Sequence, residues 1–261
     1  MVVWLVGTVL MSLTTELLYP TLSTPHAGLI IKDKITNNEP FSLIRLGDAE
    51  VHYLNNTVPE KLQKLVCRLW NYPDHDTALQ SIQTILTNAL SNADMIGIMD
   101  KQNPITTKFQ YRESNWSISK NFLNSINSLP YHVCDHQLPR SKEFGDINNF
   151  KSILDGNSLC IVSPNKELLN VNFSTILETN VSILIINNER ERLLQQLNHI
   201  KEQVVLYGAS LVGKDIGSIL KQRGKTCIDF GATLDAWAGI PSRKWFSKGN
   251  LQSHCVTTGN L

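Results

Sequence analysis

Short apolar, β-branched runs bounded by turn residues alternate with stretches of helical periodicity through most of the chain. This alternation restricts the fold more than any other feature. FSLIRL at 41–46, DMIGIM at 94–99, SLCIVS at 158–163, VSILIIN at 181–187, VVLYG at 204–208 and TCIDFG at 226–231 read as strands. PEKLQKLVCRLW at 59–70, TALQSIQTILTNAL at 77–90, ERERLLQQLNHIKE at 189–202 and VGKDIGSILKQRG at 212–224 read as helices, the last stopped by Gly224. Strands joined through helices of this length require crossover connections. The spacing therefore predicts an α/β, Rossmann-like fold, a mainly parallel sheet with helices on both faces. No internal repeat, low-complexity tract or Pro/Gly/Ser linker divides the chain, so one domain is expected over 25–261, after an apolar segment at 1–24.

Charge removes several classes of partner. The formal net charge is +1 and no block of Lys and Arg occurs, which argues against nucleic acid and against a broad anionic membrane footprint. The opening MVVWLVGTVLMSL is shorter than the roughly 20 apolar residues of a membrane span, and it lacks the basic start and small-residue cleavage site of a signal peptide. A packed terminal segment is the expectation, with weak membrane-surface contact as the alternative. Cys67, Cys134, Cys160, Cys227 and Cys255 are odd in number and form no C-x-x-C pair, the pattern of reduced thiols in a cytoplasmic protein.

In an open parallel sheet, ligands bind outside the carboxyl ends of the strands. FSLIRL ends there on Gly47, Asp48, Ala49 and Glu50, with Arg45 just upstream. Two carboxylates one residue apart can face one site if the backbone turns at Gly47. Hard oxygen ligands so placed suit Mg²⁺ or Mn²⁺, which also bind diphosphates and neutralise a departing one. The alternative is structural: Asp48 caps the next helix, Glu50 is solvated and Arg45 pairs with either.

VVLYGASLVGKD at 204–215 sets Gly208, Gly213 and Lys214 in G-x-x-x-x-G-K spacing between a strand and a helix. The phosphate-binding loop needs Ser or Thr next, to hold Mg²⁺, and Asp215 stands there instead. What remains is a turn feeding a helix N-terminus that can receive a phosphate, with the Ser210 hydroxyl as an added donor, or else tight packing without a ligand. Farther on, Asp229 lies within an apolar strand and must be paired. Asp235 follows the strand's carboxyl end, with Trp237, Arg243 and Lys244 beyond it. Trp237 is either packing or a stacking surface. YHVCDH at 131–136 lacks the further partners of a metal site.

Together, SLIRLGDAE and VVLYGASLVGKDIGSILKQRGKTCIDFGATLDAWAG resemble the D-x-E segment and the distal strand, glycine turn, helix and D-x-G segment of the GT-D glycosyltransferases. The resemblance covers both ends of the domain and leaves 100–200 without an anchor. It implies a GT-D-type fold and metal-dependent transfer of a sugar from a nucleotide-diphosphate donor, a UDP-sugar, to a hydroxyl of a glycan or glycoprotein. A bacterial role in polysaccharide biosynthesis or protein glycosylation follows from the same resemblance, at a cytoplasmic location or at the inner face of the membrane. Asp48 and Glu50 would be the catalytic and metal-binding acids, with Mn²⁺ or Mg²⁺ as cofactor. Arg45, Gly47, Gly208, Ser210, Lys214, Asp229 and Asp235 would line the donor site. Ala49 replaces the glycine familiar between the two acids and would disfavour a positive φ there. The rival readings are a metal-free Rossmann-like transferase using a nucleotide or S-adenosylmethionine, and a non-catalytic sugar-nucleotide-binding module.

Overall fold

The computed structural model describes residues 21–70, 72–99, 109–125, 132–135, 137–154, 156–164, 174–178 and 186–240. The chain opens with β1 (Thr21–Leu22) and α1 (Thr24–Thr36), then β2 (Phe41–Arg45), α2 (Asp48–Leu54), α3 (Glu60–Trp70), α4 (His75–Ser91) and β3 (Met95–Ile98). It continues with α5 (Phe109–Ser125), β4 (His132–Asp135), a 3-10 turn at Leu138–Arg140, α6 (Lys142–Gly145), α7 (Ile147–Leu154), β5 (Leu159–Ser163) and β6 (Ser174–Glu178). The last third holds α8 (Ile186–Leu197), β7 (Val204–Tyr207), α9 (Ser210–Gln222), β8 (Thr226–Asp229) and α10 (Thr233–Trp237).

The eight strands form one sheet in the order β1-β4-β3-β2-β8-β7-β5-β6, and every pairing in it is parallel. Strands covered on both faces read as continuous apolar runs. Accordingly, β2, β3, β5, β7 and β8 are buried at each residue. One face of the sheet carries α2, α3, α4, α5, α8 and α9, packed through Tyr53, Ile82, Leu86, Leu193, Val212 and Ile216. The other carries α1, α6, α7 and α10 through Ile31, Ile35, Phe144, Phe150, Leu234 and Trp237. The result is three layers, helices on sheet on helices.

Local chemistry sets several helix starts. Ser23 caps α1, its side chain accepting from the His26 N–H, and Asp74 caps α4 by accepting from the Thr77 N–H at 2.8 Å. Ala27, Ile31 and Ile35 form the buried stripe of α1 at four-residue intervals.

Strand order brings the two segments singled out in the sequence together. β2, near the beginning, and β8, near the end, are neighbours at the middle of the sheet, with Leu43 opposite Ile228. The strand expected at 181–187 falls mostly outside the described residues, and its last two residues, Ile186 and Asn187, open α8. The outer strand of that half is β6 at Ser174–Glu178. β1 at Thr21–Leu22 pairs with β4, so the sheet includes the end of the apolar 1–24 segment. Cys134, Cys160 and Cys227 are buried free thiols, and burial pushes the thiol of Cys160 up to about 12, which makes it inert. Among the described residues no helix is long and apolar enough to cross a membrane.

Candidate active site at the carboxyl edge of β2 and β8

Asp229, the last residue of β8, is 5% exposed, and burial without a partner would push its carboxyl up. Lys214 and Arg45 reverse that effect and hold it below the ordinary carboxylate value. Arg45 Nη2 donates to Asp229 Oδ1 at 3.1 Å, the Arg45 backbone N–H donates to Oδ2 at 3.3 Å, and Lys214 Nζ lies 3.2 Å from Oδ2. Lys214 Nζ also lies 3.1 Å from Glu50 Oε1. Two cations and two carboxylates thus form a chain, Arg45–Asp229–Lys214–Glu50, buried except at its half-buried Glu50 end, across β2, β8, α9 and the first turn of α2. Taking a single charge from water costs several kcal/mol, so removing any one member leaves a buried charge short of its compensation.

Burial alone would lower the Lys214 pKa, yet Asp229 and Glu50 raise it above the usual lysine value. Lys214 therefore stays an ammonium, and at 7% exposure it faces protein carboxylates. This alters the reading of the G-x-x-x-x-G-K stretch. A Cβ on Gly213 would sit 2.5 Å from Tyr207 Cδ2, and one on Gly217, a turn later, 2.7 Å from Tyr207 Cε1. The two glycines let α9 press onto the Tyr207 ring, whose hydroxyl reaches past β8 to donate to the Leu43 carbonyl at 3.1 Å. Asp215, in the place of the phosphate-binding loop's hydroxyl, pairs with Arg190 of α8. Packing therefore accounts for Gly213.

Two other glycines are needed for clearance at the site. Gly47 has φ −89° and ψ −178°, extended backbone open to any residue, so a turn is not its reason. A Cβ there would lie 2.8 Å from Glu50 Oε2. Gly231, at φ +51°, would place a Cβ 1.8 Å from Arg45 Nη2. Ala49 lies within α2 and needs no positive φ.

Of the remaining expected residues, Asp48 opens α2, and its side chain is outside the described residues. Gly208 follows β7 and donates its N–H to the Val162 carbonyl at 2.9 Å, and a Cβ there would lie 3.0 Å from the Gly231 carbonyl oxygen. Ser210 starts α9 at φ +52°, an uncommon conformation for a residue other than glycine, and α9 has no side-chain cap. Asp235 lies in the first turn of α10, in the layer opposite α9. Trp237 is packing: it is 1% exposed among Phe150 and Phe230, and its indole donates to the Gly145 carbonyl at 2.8 Å. Arg243, Lys244 and His136 lie outside the described residues. Among the described residues no group of three His, Cys, Asp or Glu side chains gathers for a metal, and Cys134 of the YHVCDH stretch is core.

The quartet lies at the central carboxyl edge of a sheet whose sequence matches a known family model, that of the GT-D fold-like domain, over residues 26–237. The chain belongs to the GT-D fold-like family. A solved structure described as a highly conserved domain of unknown function 1792 with a distinct glycosyltransferase fold aligns at TM-score 0.53 and 14% identity, covering 91% of this chain and 95% of that one. Another, described as a new glycosyltransferase from Streptococcus sanguinis, aligns at TM-score 0.52 and 15% identity, covering 92% and 98%. At such identity the likeness establishes a shared glycosyltransferase fold. No curated protein sequence matches the chain.

The two clearance glycines should respond differently to substitution. Gly47→Ala meets the far end of one flexible side chain and should cost at most about 1 kcal/mol in urea unfolding. Gly231→Ala adds backbone strain and displaces a buried guanidinium, and should cost on the order of 2–4 kcal/mol. Equal losses would contradict this account of the two positions.

A second expectation concerns acid. Because the folded pKa of Asp229 is depressed, its contribution is present above the unfolded value of about 3.9 and is lost as pH falls below it. Wild-type stability should therefore drop below about pH 4 more steeply than that of Asp229→Asn, measured by urea unfolding across pH. Parallel acid limbs would refute the role given to Asp229.

Proposed function

We propose that this GT-D fold-like protein transfers a sugar from a nucleotide-diphosphate donor, a UDP-sugar, to a hydroxyl of a glycan or glycoprotein. The observation that carries the reading is the Glu50 carboxylate, held at the central carboxyl edge with Oε1 on Lys214 and Oε2 beside Gly47. Ligands of open α/β sheets bind at that edge.

A divalent cation fits the residues present. Asp48 and Glu50, one residue apart in the first turn of α2, offer carboxylate oxygen alone, the ligand chemistry of Mg²⁺ and Mn²⁺. Bound there, the ion would neutralise charge on the leaving diphosphate. The chain's own groups do the rest. Arg45 adds positive charge beside β8, and the uncapped start of α9 offers N–H groups to a phosphate. Ser210 sits at that start in a strained conformation, the kind of outlier that gathers at ligand sites. Gly208 and Gly231 would form the floor of the donor site, a Cβ on Gly208 lying 3.0 Å from the Gly231 carbonyl oxygen, and Asp235 would complete it from α10. Of the two carboxylates Asp48 and Glu50, one would take the acceptor proton as general base.

The Lys214 ammonium on Glu50 favours one rival, a metal-free transferase in which protein cations alone face the phosphates. A thermal-shift titration of wild type and Asp48→Ala with UDP and with GDP, each with and without Mn²⁺, separates the two. Donor chemistry at the two acids predicts a Mn²⁺-dependent rise of roughly 5–10 °C with UDP at about 100-fold excess over Kd, lost in Asp48→Ala. A rise that survives EDTA selects the metal-free rival, and no rise with either nucleotide contradicts both.

A further inference from the structure

Lys214 and Asp229 were expected to line the donor site, but their geometry supports a different role. We infer that they are positioning residues that set the Glu50 carboxylate and do not touch the donor. Three observations carry this. Both side chains are more than nine-tenths buried, at 7% and 5% exposure. The described contacts of Lys214 Nζ are two carboxylates, Glu50 Oε1 at 3.1 Å and Asp229 Oδ2 at 3.2 Å. Asp229 spends both oxygens on Arg45 and Lys214.

Each anchor in the chain is itself fixed. Asp229 is the end of a central strand, tied to the β2 backbone through the Arg45 N–H. Lys214 lies one residue after Gly213, where α9 presses on Tyr207. Glu50 sits in a helix of seven residues without a side-chain cap, shorter than the thirteen-residue α9. The ammonium thus carries the position of the rigid sheet to the carboxylate of the short helix. On the other side of Glu50, the lack of a side chain at Gly47 leaves Oε2 the room this position requires. A carboxylate held within about 0.5 Å is what a ligand constellation needs from its supporting residues.

The sign of one effect separates positioning from simple charge. If Lys214 were only a nearby cation, removing it would tighten metal binding at Glu50, because like charges repel. If it positions Glu50, removing it weakens metal binding despite the relieved repulsion. The test is Lys214→Met, which keeps the apolar stem, read in two ways on the full chain: the crystal structure, and Mn²⁺ affinity by electron paramagnetic resonance with Mn²⁺ alone. The inference expects a folded protein with Asp229 still on Arg45, the Glu50 carboxylate displaced by roughly 1 Å or more, and Mn²⁺ affinity reduced about tenfold or more. Should Lys214→Met fail to fold, Asp229→Asn removes the anchor isosterically and carries the same two readouts.

An unmoved Glu50, or Mn²⁺ binding that is unchanged or tighter, overturns the inference. The Mn²⁺ arm rests on the proposed metal-bound function, whereas the crystallographic arm does not. Wild type that binds no Mn²⁺ would therefore fail the metal reading alone, and the position of Glu50 in the variant would still decide the role of Lys214.

Discussion

A carboxylate at the end of a central strand, surrounded by apolar residues, is the constraint on which the rest of this structure depends. Asp229 cannot remain charged there without cations, and it cannot take two cations without a further carboxylate to balance them. Arg45 from β2, Lys214 from α9 and Glu50 from α2 complete the set. Satisfying one buried charge therefore ties β2 and α2, near the beginning of the chain, to α9 and β8, near its end. It also ties Glu50, at the sheet edge, to the central strands through Lys214.

Small residues make that cluster possible. Gly213 and Gly217 remove the side chains that would hold α9 off Tyr207, Gly231 leaves space for the Arg45 guanidinium, and Gly47 leaves space for Glu50. Gly231 also supplies a positive φ, so it answers a backbone and a steric demand at once. Arg190 and Asp215 tie α9 to α8, which braces the helix that bears Lys214. The layers on the two faces differ in purpose. The face with α2, α4 and α9 brings polar groups to the edge, whereas the other packs Phe144, Phe150, Phe230 and Trp237 into an aromatic cluster.

Much of this was legible in the sequence because burial on both faces leaves its mark on composition. β2, β3, β5, β7 and β8 appear as apolar runs, and α3, α4 and α9 as periodic ones, each within a residue or two of its observed bounds. β1 has two residues, β4 begins on an exposed His132, and β6 at Ser174–Glu178 lies just before the more apolar run at 181–187 that drew the assignment. Short outer strands carry too few residues for a pattern to form. The need for a partner to Asp229 was readable from its apolar neighbours, but its partners were not, since pairing across 184 residues depends on strand order. The spacing of Gly208, Gly213 and Lys214 left phosphate binding and tight packing both open for a related reason: spacing does not say which way a lysine faces. A pair of glycines four apart, after a tyrosine, was the available signal for close helix packing.

The chain belongs to the GT-D fold-like family, and its Glu50 carboxylate stands at the carboxyl edge above β2 and β8, where the proposed function puts the donor. The most direct test of that account is a crystal structure of the full chain grown with UDP and Mn²⁺. It predicts the diphosphate beside Asp48 and Glu50 at the carboxyl edge, with Lys214 still bridging Glu50 and Asp229. A nucleotide bound elsewhere, or a phosphate taken directly by Lys214 Nζ with the bridge to Asp229 broken, would contradict it.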